Sequence, residues 1–254
     1  MKKHYTSLKI SLKEKTLYGS FVTFGLGDIA EYTAKLGFDY IIIDNEHGIL
    51  DHSTISDMVR ASQCQGIPAI VRCTNDNSDN VHKALDMGAD GILVPVINTA
   101  EEAKKVVMAS LYAPKGERGI AYFTRAASYG ILENKDGYLE ETNKNVFISI
   151  QIETASAIKN LDEILDVEDI DMFFIGPNDL AASLGISASS IEMKNIIKET
   201  IYKIVKKGKI AGIFANDAES AKQFKEWGAN FILTSITKYM TEGAIEYLKK
   251  VKEK

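Results

Sequence analysis

The chain has 254 residues, 30 basic and 35 acidic side chains, and a formal net charge of −5. That balance disfavours a general nucleic-acid binder, which needs a basic footprint. A hydrophobic fraction of 45% excludes global disorder. Two cysteines, Cys64 and Cys73, make neither a disulfide framework nor a thiolate cage. The basic start Met1-Lys2-Lys3-His4 leads into no apolar h-region, and no apolar run reaches membrane length. The expectation is a soluble cytoplasmic protein, with neither nucleic acid nor membrane as partner.

In chain order, eight apolar runs read as strands: Tyr18–Phe24, Asp39–Asp44, Pro68–Arg72, Gly91–Val94, Phe147–Ile152, Met172–Ile175, Ile210–Phe214 and Phe231–Thr234. Helical patterns intervene at Asp28–Leu36, Ser53–Cys64, Ser78–Met87, Thr99–Leu111, Ala155–Leu165, Ile191–Lys207, Ala218–Trp227 and Lys238–Lys252. A short motif recurs at the joins. Gly37-Phe38-Asp39 returns as Gly88-Ala89-Asp90 and as Gly228-Ala229-Asn230, each time between a helix and a strand. Glycine there is the usual left-handed helix cap. Eight strands alternating with helices in about 250 residues predict one α/β domain over 1–254, a (β/α)8 TIM barrel. A doubly wound sheet is the runner-up, but Gly25-Leu26-Gly27 lacks the third glycine of its fingerprint. The span 113–145 has no clear period and reads as a lid or a subunit contact.

A parallel barrel carries its site at the C-terminal strand ends. There the sequence places Asp44-Asn45-Glu46-His47, Arg72-Cys73, Gln151-Ile152-Glu153 and Gly176-Pro177-Asn178-Asp179. Glu153 and Asp179 come from adjacent units and suit a hard divalent cation, Mg2+ or Mn2+. The plainer alternative makes one a helix cap and the other a partner for Lys. His47, three residues after Asp44, reads as a general base oriented by that Asp, or else as a turn histidine. His52, His4 and His82 read as bystanders. Arg72 ends a buried run and reads as the holder of a developing oxyanion, or else as an ion pair with Asp44 or Glu46. The helix start at Gly176-Pro177-Asn178 offers N–H groups to a carboxylate. No strand interior holds a lysine for a Schiff base, so metal-assisted enolate chemistry fits better.

Basic positions are filled with Lys, leaving four arginines: Arg60, Arg72, Arg118 and Arg125. Arg60 falls on a predicted helix. Arg118 and Arg125 fall in the irregular span, as candidates for acid recognition or subunit contact.

The combination of Asp-x-Glu-His at 44–47, Leu-Asp-x-Gly-Ala at 85–89, Arg118-Gly119, Gln-x-Glu at 151–153 and Gly-Pro-x-Asp-Leu at 176–180 resembles the HpcH/HpaI aldolase family. The resemblance runs from about Gly19 to the end of the eighth strand. It implies a class II pyruvate aldolase on a phosphoenolpyruvate/pyruvate-type barrel. Such an enzyme cleaves a 4-hydroxy-2-oxo acid to pyruvate and an aldehyde through a metal-bound pyruvate enolate. It also implies a divalent cation (Mg2+ or Mn2+, also Co2+) and a homohexamer of dimers that exchange their last helix. By motif, Glu153 and Asp179 would bind the metal, and Glu46 a water on it. Gln151 would stand beside the 2-oxo acid, Arg72 would hold the enolate oxygen, and His47 with Asp44 would serve acid/base chemistry. The N–H groups around Asn178 and Asp179 would take the carboxylate, and Asp86 would lie at a subunit boundary near a neighbour's site. Asn45, Ala113 and Asn178 depart from the family's pattern close to the pocket and bear on the aldehyde. The alternatives are an enolate-condensing transferase on the same scaffold (a siderophore-type citrate synthase), an acyl-CoA lyase-like enzyme, and a non-catalytic acid-binding barrel.

Overall fold

The computed structural model describes residues 5–252; His4 lies outside them. Eight parallel strands close into a barrel in sequence order. They are β1 (Leu17–Val22), β2 (Tyr40–Asp44), β3 (Ala69–Arg72), β4 (Gly91–Val94), β5 (Phe147–Ile152), β6 (Met172–Ile175), β7 (Ile210–Phe214) and β8 (Phe231–Ser235). β8 pairs back onto β1, Leu17 opposite Phe231 through Phe21 opposite Ser235, which excludes the open-sheet runner-up.

Strand side chains alternate between the two faces of a sheet, and that period sorts the core. One set faces the surrounding helices, including Ile41, Ile43, Val71, Ile148, Ile150 and Ile175. The other fills the barrel, including Phe21, Tyr40, Ile42, Ile70, Phe147, Phe174 and Phe231. Tyr40 and Phe231 stack at 4.0 Å, and Phe147 lies 5.9 Å from Phe231. Gly19 is obligatory beside them, because a Cβ there would stand 2.1 Å from the Tyr40 ring. The inward phase that carries Tyr40 and Ile42 next carries Asp44. By the same count Ile70 leads to Arg72, and Phe147 to Gln151 and Glu153. The apolar filling therefore gives way to charge at the C-terminal mouth.

The helices are α1 (Leu8–Glu14), α2 (Gly27–Lys35), α3 (His52–Cys64), α4 (Ser78–Asp86), α5 (Ala100–Ser110), α6 (Tyr138–Asn145), α7 (Ala155–Lys159), α8 (Leu161–Leu165), α9 (Pro177–Leu184), α10 (Ile191–Lys206), α11 (Ala218–Glu226) and α12 (Ile236–Lys252). The pattern at 155–165 reads as one helix but breaks at Asn160 into α7 and α8. α1 was not anticipated. Its Leu8 and Leu12, one turn apart, join the inner cluster. On α12 only Ile236 is buried, while Met240, Ile245, Tyr247, Leu248 and Val251 are exposed. Among the described residues no helix is long and apolar enough to cross a membrane.

The recurring Gly-x-Asp has a second use beyond the helix cap. Asp39 accepts the N–H of Tyr18 at 2.9 Å, and Asp90 accepts the N–H of Ala69 at 2.9 Å. Asp171, before β6, does the same for Ile148 at 2.9 Å. Each carboxylate caps the neighbouring strand's start.

The span 113–145 is not a lid. It connects α5 to β5, so it leaves and re-enters at the N-terminal end of the barrel, opposite the strand ends that carry the acidic residues. Arg118 binds Asp86 at 2.8 Å and lies 4.6 Å over the Tyr112 ring. Arg125 donates to Gln63 at 2.7 Å and to the Met87 carbonyl at 3.3 Å. These arginines tie the span to α3 and α4, so neither reaches the strand ends as a group for acid recognition.

Candidate active site

A cavity of about 180 Å³ opens at the C-terminal mouth, lined by Glu46, His47, Val96, Glu153, Thr154, Asp179 and Ser183. The residues singled out from β2, β5 and β6 converge there. Arg72, from β3, lies beneath them, 7% exposed, its guanidinium 4.4 Å over the Phe21 ring.

Arg72 is the hub of a buried chain of charge. Its Nε and Nη2 fork onto Asp44 at 3.0 and 2.8 Å. Its Nη1 reaches Glu46 Oε2 at 2.7 Å and donates to Gln151 Oε1 at 3.4 Å. The Gln151 amide donates in turn to Glu153 Oε2. Thus the ion-pair reading of Arg72 is what the geometry contains, with both proposed partners. The guanidinium nevertheless sits one residue from the cavity wall, held rigidly by its fork.

Asp44 does not touch the His47 imidazole, contrary to expectation. Its Oδ1 accepts the backbone N–H groups of Glu46 and His47, both at 3.2 Å, while also receiving Arg72 Nε. Asp44 therefore shapes the turn that carries His47. The ring itself is 66% exposed, and its Nε2 is 3.8 Å from Glu46 Oε2.

Glu153 is nearly buried, at 4% exposure. Its Oε1 accepts the Val96 N–H at 2.7 Å. Burial pushes its carboxyl up to about 7; Glu46 and Asp179 push the same way, against the Val96 N–H and Arg72. Burial also raises Glu46, against the pull of Arg72 and His47. Gly176 makes room for this carboxylate, since a Cβ there would stand 2.7 Å from Glu153 Oε2. Asp179 occupies the first turn of α9, whose N-cap is Gly176 without any side-chain cap. It is therefore free of the capping role and lines the cavity instead. Pro177 has no N–H, and the N–H groups of Asn178 and Asp179 have no intrahelical acceptor at this helix start.

Among the described residues, no three His, Cys, Asp or Glu side chains form a ready cage for a metal. Three carboxylates nevertheless share one small cavity, and one oxygen, Glu46 Oε2, is buried without a hydrogen bond despite its charge contact with Arg72. Acidic oxygens with open positions and space for water fit a hard divalent cation, which keeps several waters. Glu153 and Asp179 are the carboxylates that could hold it.

Val96, Thr154 and Ser183 were not anticipated. Val96 follows β4, whose end shows no polar residue in sequence, and it acts through its backbone. Thr154 caps α7 by accepting the Ala157 N–H, a sequence signal that was available at a strand end.

The HpcH/HpaI aldolase/citrate lyase family matches residues 18–240. The chain belongs to this family. It is 38% identical over 224 residues to 2-keto-3-deoxy-L-rhamnonate aldolase of Escherichia coli K12, covering 86% of this chain and 82% of the relative. The crystal structure of an HpcH/HpaI aldolase from Desulfitobacterium hafniense DCB-2 superposes with a TM-score of 0.92 at 28% identity, covering 98% of this chain and 97% of that one. Citrate synthase SbnG superposes at 0.85 with 25% identity, covering 97% of this chain and 99% of that one.

Proposed function

We propose that this family member is a divalent-metal-dependent aldolase that cleaves a 4-hydroxy-2-oxo acid to pyruvate and an aldehyde. The observation that carries the proposal is a rigid arginine linked through Gln151 to a buried carboxylate that faces a second one across a cavity. A 2-keto-3-deoxy sugar acid is itself a 4-hydroxy-2-oxo acid, so the rhamnonate aldolase relative points to the substrate class. Mg2+, Mn2+ or Co2+ held by Glu153 and Asp179, with a water on Glu46, would supply Lewis-acid polarisation of the 2-oxo group.

The chain's own groups then divide the work. The Asn178 and Asp179 N–H groups receive the substrate carboxylate at a helix start. Gln151 stands beside the 2-oxo acid. Arg72 faces the C2 oxygen and holds the negative charge that develops on it. His47, through a water, takes the C4 hydroxyl proton. The C3–C4 bond breaks, its electron pair moves into the C2–C3 enolate, and C4 leaves as an aldehyde. Protonation at C3 then gives pyruvate. The exposed apolar residues of α12 support a homo-oligomer in which a neighbouring subunit covers that helix. Asp86, pinned by Arg118 away from its own chain's cavity, is assigned to such a boundary. With that substrate class goes a cytoplasmic location as part of the proposal. The test is a pyruvate-release screen of 4-hydroxy-2-oxo acids, with 2-keto-3-deoxy-L-rhamnonate first. Silence across the screen with added Mg2+, Mn2+ or Co2+ defeats the proposal.

The likeness to citrate synthase SbnG favours one second reading, an enolate-condensing transferase. Citrate formed from oxaloacetate and acetyl-CoA, without aldol cleavage of any 4-hydroxy-2-oxo acid, would select it.

A further inference from the structure

Val96 is one of four described non-glycine residues with positive φ, at 56°. A β-branched side chain pays sterically for that conformation, and such outliers persist only where surrounding structure imposes them. Its side chain explains nothing, being 51% exposed on the cavity rim. Its backbone does more, because the unusual turn aims the Val96 N–H at Glu153 Oε1, 2.7 Å away.

Asn98 imposes the turn. Its side-chain amide donates to the Val96 carbonyl at 3.1 Å. Its side-chain oxygen accepts the Thr154 hydroxyl, and its carbonyl accepts the Asn160 side chain at 2.8 Å. Its N–H donates to Glu102 at 2.7 Å, beside the capping box of α5. The β4–α5 turn is thereby bolted to the loop that carries Glu153 and to the helix after it.

We infer that Asn98 is a positioning residue for the metal carboxylate: it holds Val96 in the left-handed region so that the Val96 N–H fixes the plane of Glu153. With Oε1 on that N–H and Oε2 on the Gln151 amide, the carboxylate cannot rotate. The lone pairs left over keep one direction into the cavity. Losing a group that orients a metal ligand in this way typically costs about 10–100-fold in metal affinity. The inference rests on the proposed metal role of Glu153.

The experiment is Mn2+ binding to the full chain by calorimetry, with melting temperatures measured alongside. Asn98→Ala is expected to weaken Mn2+ about tenfold. Adding Val96→Gly to Asn98→Ala is expected to restore binding, because glycine adopts positive φ without help. The melting temperatures separate this from a purely structural role, in which the loss of binding would only follow a loss of stability. Val96→Pro, which removes the N–H and cannot reach positive φ, gives the loss by an independent route on an exposed residue. Unchanged Mn2+ affinity in Asn98→Ala or Val96→Pro overturns the inference, and so does a weakened Asn98→Ala that Val96→Gly fails to rescue. Glu153→Gln separates the two levels. Full Mn2+ binding in that variant removes the metal reading and the inference together. Its loss, beside an unaffected Asn98→Ala, removes the inference alone.

Discussion

The two ends of the barrel use the same residue types in opposite ways. At the N-terminal end, Asp90 accepts the Ala69 N–H, the Gln63 side chain at 2.8 Å and the Tyr5 hydroxyl at 2.9 Å. Asp171 accepts Ile148 N–H and pairs with Lys9 at 3.0 Å. Those carboxylates are consumed by the strands and by α1. At the C-terminal mouth Glu46, Glu153 and Asp179 face one another across a cavity, with a single arginine beneath them. Unrelieved like charge is costly, and folds keep it where a ligand will answer it. The contrast separates acidic residues that hold the barrel closed from those that leave it reactive.

The sharpest way to break the contrast is to remove a mouth carboxylate. Glu153→Ala is expected to abolish pyruvate formation in a coupled assay while leaving a folded barrel. Arg72→Lys comes next. It loses the planar fork but keeps charge, and should lower kcat about 10²–10³-fold, the usual effect of losing an oxyanion donor. Arg72→Ala does more than remove a catalytic group, because it leaves Asp44 buried without its partner. Destabilisation of about 3–5 kcal/mol is expected in denaturant melts. At the other end, Asp90→Ala should cost about 1–3 kcal/mol through unpaired buried donors, with kcat unchanged.

A further effect is a pH dependence. Glu153 binds its proton more tightly folded, near pH 7, than unfolded. In chelated protein, the associated stability is therefore full below the unfolded carboxylate range and is lost as pH rises through about 7. Glu153→Gln removes that slope. Chelated melting curves should show the variant gaining on the parent from pH 5 to pH 8; parallel curves would contradict it.

The comparison also explains what was legible in sequence. The strands were readable because each is an apolar run between helical patterns, and β2, β3, β4, β7 and β8 also follow a glycine join. The site residues were readable because period two aligns Asp44, Arg72, Gln151 and Glu153 with the inward phase. That Asp44 does not hold the His47 imidazole was not readable, since that carboxylate spends its oxygens on backbone N–H groups and Arg72, which only packing decides. Of the two readings of the span 113–145, a lid or a subunit contact, the lid over the chain's own site fell, because a missing period says nothing about which end of a barrel a connection crosses. Its place after a helix and before a strand was the available signal. Val96 left no trace in residue type, because its contribution is a backbone direction.

The most direct measurement is pyruvate release from 2-keto-3-deoxy-L-rhamnonate and related 4-hydroxy-2-oxo acids, before and after chelation and after restoring Mg2+ or Mn2+. The account predicts turnover that chelation stops and the cation restores in the parent, and that neither treatment elicits in Glu153→Ala. Turnover that survives chelation, or that persists in Glu153→Ala, would contradict it.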